Sequence, residues 1–296
     1  DPDTGLSYFE RFASSLGARD ALYTLLNESP TALHRLLHVL SSSQFLADFL
    51  CRQPQLLDFL LRDEFLEGAK TIQDYLQDFR GALQTTGDWR MQTQALREIQ
   101  QLELFRIQLR DILEANDRPS VGAQLADLAE ACLFATCKIA CTQLEEEGDP
   151  GLTEWVTKHL VILSLGKLGG KDLSYNSDLD LVYFYSVHDD EQSADVQQRT
   201  SCVVERIDEI LSVSRGEGSI YTIDTRLRPE GKKGGLVTAI HRYEEYLRNR
   251  AAPWERLALV RHRFVFGSEE NCCRLRQMIQ AFVYGQPLSV QVLEEI

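Results

Sequence analysis

The sequence predicts an α+β chain: a largely helical N-terminal domain, a small unit of strands and helices, and the start of a C-terminal helical region. Three observations predict it. Apolar residues recur at helical spacing from Leu6 to about Glu147. After the break EEEGDPG, short apolar and β-branched runs replace that pattern, and after Gly235 helical spacing returns. We place the divisions at 1–120, 121–266 and 267–296, the middle segment including a lead-in helix.

Taken in order, the stretch ALYTLLNESPTALHRLLHVLSSSQFLADFLCRQPQLLDFLL carries short amphipathic runs. Asn-Glu-Ser-Pro, Ser-Ser-Ser and Gln-Pro punctuate it, so it predicts several short helices. A longer helix is expected from Asp88 to about Ala115 and another from Val121 to Glu147, with NDRPS as the break between them. Val161 to Leu165 and Leu181 to Tyr185 predict two strands, and Ser219 to Leu227 alternates polar and apolar residues like a third. A helix fits about Ala194 to Leu211. Further helices are expected at Ile240–Arg250, Pro253 to about Arg261, and Ser268–Phe282. There is no internal repeat and no low-complexity tract.

With 296 residues, 44% of them hydrophobic, the chain can bury a substantial core. No stretch approaches the roughly 20 apolar residues of a membrane span. The start, DPDTGLSYFE, lacks the basic and apolar regions of a signal peptide, so a cytoplasmic location is expected without membrane association. The first residue is Asp1 rather than Met, which suggests a fragment or a processed product. A net charge of −14 argues against a general nucleic-acid binder and for a protein partner or small ligand. The seven cysteines form no zinc pattern and are expected to be reduced. His34 and His38 sit four apart without the Glu of a zinc-protease helix, and they predict a helix-surface pair.

The chemistry concentrates in SLGKLGGKDLSYNSDLDLVYFY. On a strand, residues two apart share a face, so Asp178 and Asp180 converge while Leu179 and Leu181 point to the core. Two carboxylates held together repel, and a divalent cation removes the conflict; all-oxygen donors favour Mg²⁺, with Mn²⁺ as the alternative. Upstream, Gly166, Gly169 and Gly170 make a turn that lets backbone N–H groups approach a phosphate, and a helix starting near Gly169 would add its positive end. The pattern is not a Walker loop. The third part is IDTRLRPEGKKGG: on a strand from Ser219 to Leu227, Asp224, Arg226 and Arg228 share one face. That face suits a metal-bound triphosphate. Alone, this stretch is as well explained by a surface salt-bridge ladder; beside the paired aspartates the functional reading is better. The basic residues that follow, from Lys232 to Arg263, are expected to be mostly solvated helix-face charges, with Arg226 and Arg228 the two that matter.

A glycine turn, then SDLDLVYFY, then a later Asp, resembles the nucleotidyltransferase superfamily that includes DNA polymerase β. The ordered run LGKLGGKDLSYNSDLDLVYFY, DTRLRPEGKKGGLV and PWERLALVRHRFVFG resembles one catalytic half of the bifunctional glutamine synthetase adenylyltransferase/adenylyl-removing enzymes. The resemblance covers nearly the whole chain. It implies a polymerase β-like domain with a small mixed sheet. Asp178, Asp180 and Asp224 are then the catalytic, metal-binding carboxylates, and Gly166, Lys167, Gly169, Gly170, Ser177, Arg226 and Arg228 the nucleotide-binding set. It also implies ATP as substrate, glutamine synthetase as protein substrate and a PII signal protein as regulatory partner. SDLDLVY and WERLALVR look closer to the transferring half, whereas AFVYGQPLS looks like the removing half. Trp254 and Glu255 match a family motif, although an amphipathic anchor explains Trp254 equally well. The family continues with a Gly-Gly-Ile segment, acidic residues and a helical bundle that this sequence lacks. A chain of this extent is therefore expected to keep the fold while losing regulation, full activity or both.

Overall fold

The computed structural model describes residues 2–17, 19–61, 68–113, 118–187, 192–212 and 220–285. Two compact units divide the chain: residues 1–70 with 101–124, and residues 71–100 with 125–296.

The first unit begins with α1 (Pro2–Ser15), α2 (Arg19–Glu28), α3 (Pro30–Ser42), α4 (Gln44–Arg52) and α5 (Leu57–Leu61). The punctuation seen in the sequence acts as caps. The Ser29 hydroxyl accepts the Ala32 N–H at 3.3 Å, with Pro30 at the first helical position. Ser43 ends one helix by donating its N–H to the Val39 carbonyl and starts the next by accepting the Leu46 N–H. Phe12, Leu36, Leu40, Leu46, Leu50 and Leu60 form the core with Phe105 and Leu109. His34 and His38 are exposed, with stacked rings 6.1 Å apart, as expected of a surface pair.

In the second unit α6 (Ile72–Thr85) opens with a capping box, Thr71 N–H donating to Asp74 at 2.7 Å and Asp74 N–H to the Thr71 hydroxyl at 3.4 Å. The two long helices, α7 (Trp89–Ile112) and α8 (Arg118–Glu146), contribute residues to both units. Residues 114–117, which include the first two of the expected break, lie outside the described residues, and Arg118 already belongs to α8. Cys132, Cys137 and Cys141 are buried on α8, and all seven cysteines are free thiols.

After α9 (Leu152–His159) comes a five-stranded mixed sheet: β1 (Leu160–Ser164), β2 (Leu179–Tyr185), β3 (Ile223–Asp224), β4 (Val237–Ala239) and β5 (Arg263–Phe266). The order is β3-β2-β1-β5, with β4 also paired to β2. β1 runs antiparallel to β2 and β5, while β3 and β4 run parallel to β2. β1 is buried throughout, which is why it reads as a continuous apolar run. The single turn α10 (Gly166–Gly169) follows β1. Helix α11 (Ser193–Ser212) packs on the sheet, while α12 (Ile240–Asn249), α13 (Pro253–Val260) and α14 (Glu269–Tyr284) share a core with Val161, Leu163, Val182 and Phe184.

Two expectations are corrected. The third strand does not run to Leu227: it is confined to Ile223–Asp224, because the Asp224 carboxylate accepts the Arg226 N–H at 2.8 Å and turns the chain. Arg228 N–H then bonds the Thr225 carbonyl, and Pro229 has no N–H to extend a ladder. Nor does a helix start near Gly169, which instead closes the turn begun at Gly166.

Candidate active site

The parallel register of β2 and β3 sets Asp180 directly beside Asp224, so their side chains leave the same face of the sheet. Asp178 lies just before β2, exposed, while Leu179 and Leu181 are fully buried on the opposite face. Burial raises the Asp180 pKa, and the charges of Asp224 and Asp178 raise it further; Arg226 and Lys167 only partly offset this. The three acids therefore feel one another.

Asp224 behaves oppositely. Its carboxylate takes two bonds from Arg226 Nε, 2.9 Å to Oδ1 and 2.7 Å to Oδ2, and another from Nη2. That hydrogen bonding holds its pKa below the ordinary carboxylate value, with Lys232 contributing. Arg228 faces elsewhere: its guanidinium donates to the Thr225 carbonyl at 2.9 Å and hydroxyl at 2.7 Å. The structure thus brings Arg226 to the carboxylates and commits Arg228 to its own loop, against the expectation that the two share a strand face.

The three glycines separate in role. Gly166 has φ +55°, and a Cβ there would lie 2.3 Å from Asp180 Oδ2, so its missing side chain is what lets the carboxylate stand against the turn. A Cβ at Gly169 would lie 2.2 Å from the Arg261 carbonyl oxygen, and one at Gly170 would meet the Arg261 guanidinium. These two glycines admit the segment leading into β5. Lys167 Nζ bonds the Ser174 hydroxyl at 3.2 Å. The Ser177 hydroxyl accepts the Ser174 N–H at 3.3 Å and closes the loop before β2.

Several residues at the site have no local sequence signal. Arg263 donates Nη2 to the Leu168 carbonyl at 2.8 Å and Nη1 to Glu130 on α8. One turn away on that helix, Asp127 pairs with Lys171 at 2.8 Å. Arg261 pairs with Asp172 at 3.3 Å. The expectation that the later arginines are solvated charges therefore fails for Arg263, which is half-buried in the support of the glycine turn. Trp254 is 48% exposed and does not anchor its helix. Its neighbour Glu255 is buried, accepting the Ala252 N–H and the Tyr246 hydroxyl, each at 2.8 Å.

The donor set, three carboxylates and no sulfur or imidazole, suits a hard divalent cation. Among the described residues, however, no group of three or more acidic, His or Cys side chains forms a ready-made metal site.

A mixed sheet that joins a glycine turn to acids on two adjacent strands is an α+β class of fold consistent with the nucleotidyltransferase-type domain that the sequence resembles. The glutamate-ammonia ligase adenylyltransferase family model matches residues 33–278. The chain is 33% identical over 297 residues to a bifunctional glutamine synthetase adenylyltransferase/adenylyl-removing enzyme of Ralstonia nicotianae, covering 97% of this chain and 29% of that protein. It is 34% identical over 260 residues to the like-named protein of Neisseria meningitidis serogroup A, covering 88% and 28%. For that of Burkholderia mallei the identity is 36% over 259 residues, covering 86% and 27%. The chain belongs to the glutamate-ammonia ligase adenylyltransferase family. It spans less than a third of the length of these curated relatives.

Proposed function

We propose that this chain is a metal-dependent nucleotidyltransferase domain that moves AMP from ATP onto a tyrosine hydroxyl of glutamine synthetase. One observation carries the reading: the β2–β3 register puts Asp180 beside Asp224, with Gly166 closed against the Asp180 carboxylate. Asp178, Asp180 and Asp224 would hold Mg²⁺ or Mn²⁺. When bound, the ion supplies charge neutralisation at the phosphates and activates the attacking oxygen.

The chain's own residues bind and orient. Gly166 admits the Asp180 carboxylate against the turn, and the first N–H groups of that turn have no partner inside it. Lys167 and the exposed Arg226 supply positive charge, while Gly169, Gly170 and Ser177 shape the backbone around them. Asp224 is the candidate for orienting or deprotonating the tyrosine hydroxyl. In-line displacement depends on position and charge neutralisation more than on covalent help.

The alternative is the removing half, in which phosphate attacks AMP-tyrosine and releases ADP; the same carboxylate geometry serves that displacement. SDLDLVY and WERLALVR favour transfer. The residues of AFVYGQPLS from Gln286 onward lie outside the described residues. A non-catalytic docking module is disfavoured, since a module freed from catalysis has no physical need to keep all three carboxylates. The relatives' names support glutamine synthetase as partner. A PII protein as regulator rests on the family resemblance, and a cytoplasmic location on the sequence. Among the described residues no helix is long and apolar enough to cross a membrane.

Incubation with labelled ATP, Mg²⁺ and unmodified glutamine synthetase tests the proposal. Label on a tyrosine, lost in Asp180→Asn, is expected. ADP released only from the AMP-modified target with phosphate would assign removal instead, and neither product would leave the docking module.

A further inference from the structure

Arg226 and Asp224 form a closed pair two residues apart. The guanidinium grips both carboxylate oxygens through Nε and Nη2, while the Arg226 backbone N–H separately binds Oδ1. The Arg226 side chain is 68% exposed and Asp224 only 12%. The acid is therefore fixed in the fold and the base is free to swing. Among the described residues, the Asp178 and Asp180 carboxylates have no ion-pair or hydrogen-bond partner of their own. The site thus has three acids, one of them capped by a cation.

Resting on the reading of this site as metal-dependent, we propose that Arg226 is the internal counter-ion of the third carboxylate. It occupies the Asp224 oxygens until a divalent cation takes them, and the released guanidinium then binds the phosphate oxygens of the nucleotide. The bidentate fork that matches a carboxylate matches phosphate equally well, so one side chain serves both partners in turn. The exchange needs no movement of β3. The Asp224–Arg226 turn is held by the backbone N–H, which stays when the side chain leaves. Lys232 acts on Asp224 only through space and Lys167 is bonded to Ser174, so neither substitutes for the fork.

The test is calorimetric titration of Mg²⁺ into the nucleotide-free chain, with binding of a non-hydrolysable ATP analogue plus Mg²⁺ measured separately. Removing a competitor for Asp224 tightens metal binding; removing a phosphate ligand weakens nucleotide binding. Arg226→Lys keeps the charge and loses the fork. It is expected to bind Mg²⁺ about threefold more tightly than the native chain, and Arg226→Gln about tenfold, while both bind the analogue about tenfold more weakly. Lys232→Gln calibrates the effect of losing a nearby charge. The exchange is overturned if Arg226→Lys binds Mg²⁺ like the native chain, if Arg226→Gln gains no more than Lys232→Gln, or if analogue affinity does not fall. Asp180→Asn separates the two levels. If it abolishes Mg²⁺ binding while Arg226→Lys changes nothing, only the exchange fails; if native and Asp180→Asn bind Mg²⁺ alike, the metal reading fails and the exchange with it.

Discussion

Three glycines that look alike in LGKLGGK answer to different neighbours, and alanine at each gives a different result. At Gly166 the left-handed backbone costs about 1–2 kcal/mol with a Cβ present. The added atom would also push Asp180 Oδ2 from 2.3 Å, displacing the carboxylate. A displacement of about 1 Å near reacting groups costs roughly a hundredfold in rate. At Gly169 the obstacles are backbone, the Arg261 carbonyl at 2.2 Å and the Ser164 carbonyl at 2.8 Å. Neither can step aside, so Gly169→Ala is expected to lose about 1–3 kcal/mol of stability. At Gly170 the obstacle is the end of the Arg261 side chain, which can rotate away with its exposed pairing to Asp172. Gly170→Ala is expected to cost less than about 0.5 kcal/mol. Thermal midpoints and nucleotide affinity across the three variants check this. If Gly166→Ala retains native affinity, the placement of the Asp180 carboxylate against the turn does not govern nucleotide binding.

Between elements, the packing of α11 on β2 carries a buried proton. The Tyr183 hydroxyl, fully buried, donates to Asp208 Oδ1 at 2.7 Å. Burial lifts the Asp208 pKa to about 6, against the pull of that hydrogen bond and with help from Glu205. In the unfolded chain an Asp titrates near 3.9. Between those values the native state holds the extra proton, so this contribution is fully present below about pH 4 and is lost as pH rises through about 6. Asp208→Asn keeps an acceptor for Tyr183 and removes the titration. At pH 7.5 it is expected to exceed the native chain by on the order of 1 kcal/mol, a figure discounted for partial solvent access, and to match it at pH 4. Urea denaturation at the two pH values measures the difference; a gap independent of pH would exclude the proton as its source. The elements themselves were unequally legible. β1 and β2 announce themselves as buried apolar runs, and the serine-capped helices by their punctuation. β3 was overread because the alternation in IDTRLR mimics a strand, whereas the Asp224 side chain bends the chain after one pair. β4 and β5, three and four residues long, exist through pairing with β2 and β1, and so short a run shows no period. Of the candidate site, the sequence pointed to Asp178, Asp180, Asp224 and Gly166; the strand register sets Asp180 beside Asp224, whereas Asp178 lies before β2 and not on the strand as expected. The approach of Arg261 and Arg263 to the glycine turn joins residues more than 90 apart and left no local trace.

At the scale of the whole molecule, charge would set how the proposed nucleotide substrate arrives. The chain carries −14, and nucleotide with Mg²⁺ bound is itself negative, so the long-range force is repulsive. Lys167, Arg226 and Lys232 act on the carboxylates they adjoin. The arginines beyond them are largely neutralised by partners: Arg248 by Glu244, Arg250 by Glu230, Arg261 by Asp172 and Arg263 by Glu130. The run of basic residues after Asp224 therefore does not amount to a positive funnel. Screening should shorten the repulsion, since the Debye length falls from about 30 Å at 0.01 M to about 8 Å at 0.15 M salt. The association rate of a fluorescent ATP analogue, followed by stopped flow with Mg²⁺ fixed, is expected to rise about two- to threefold across that range. Dissociation is expected to quicken as the short contacts to Arg226 and Lys167 weaken. A rate that falls with salt would mean that the few cations at the mouth outweigh the acidic body, and Arg226→Gln should then reverse the slope. A rate that rises in both native and variant chains places the control of approach in the total charge and leaves Arg226 a role only after contact.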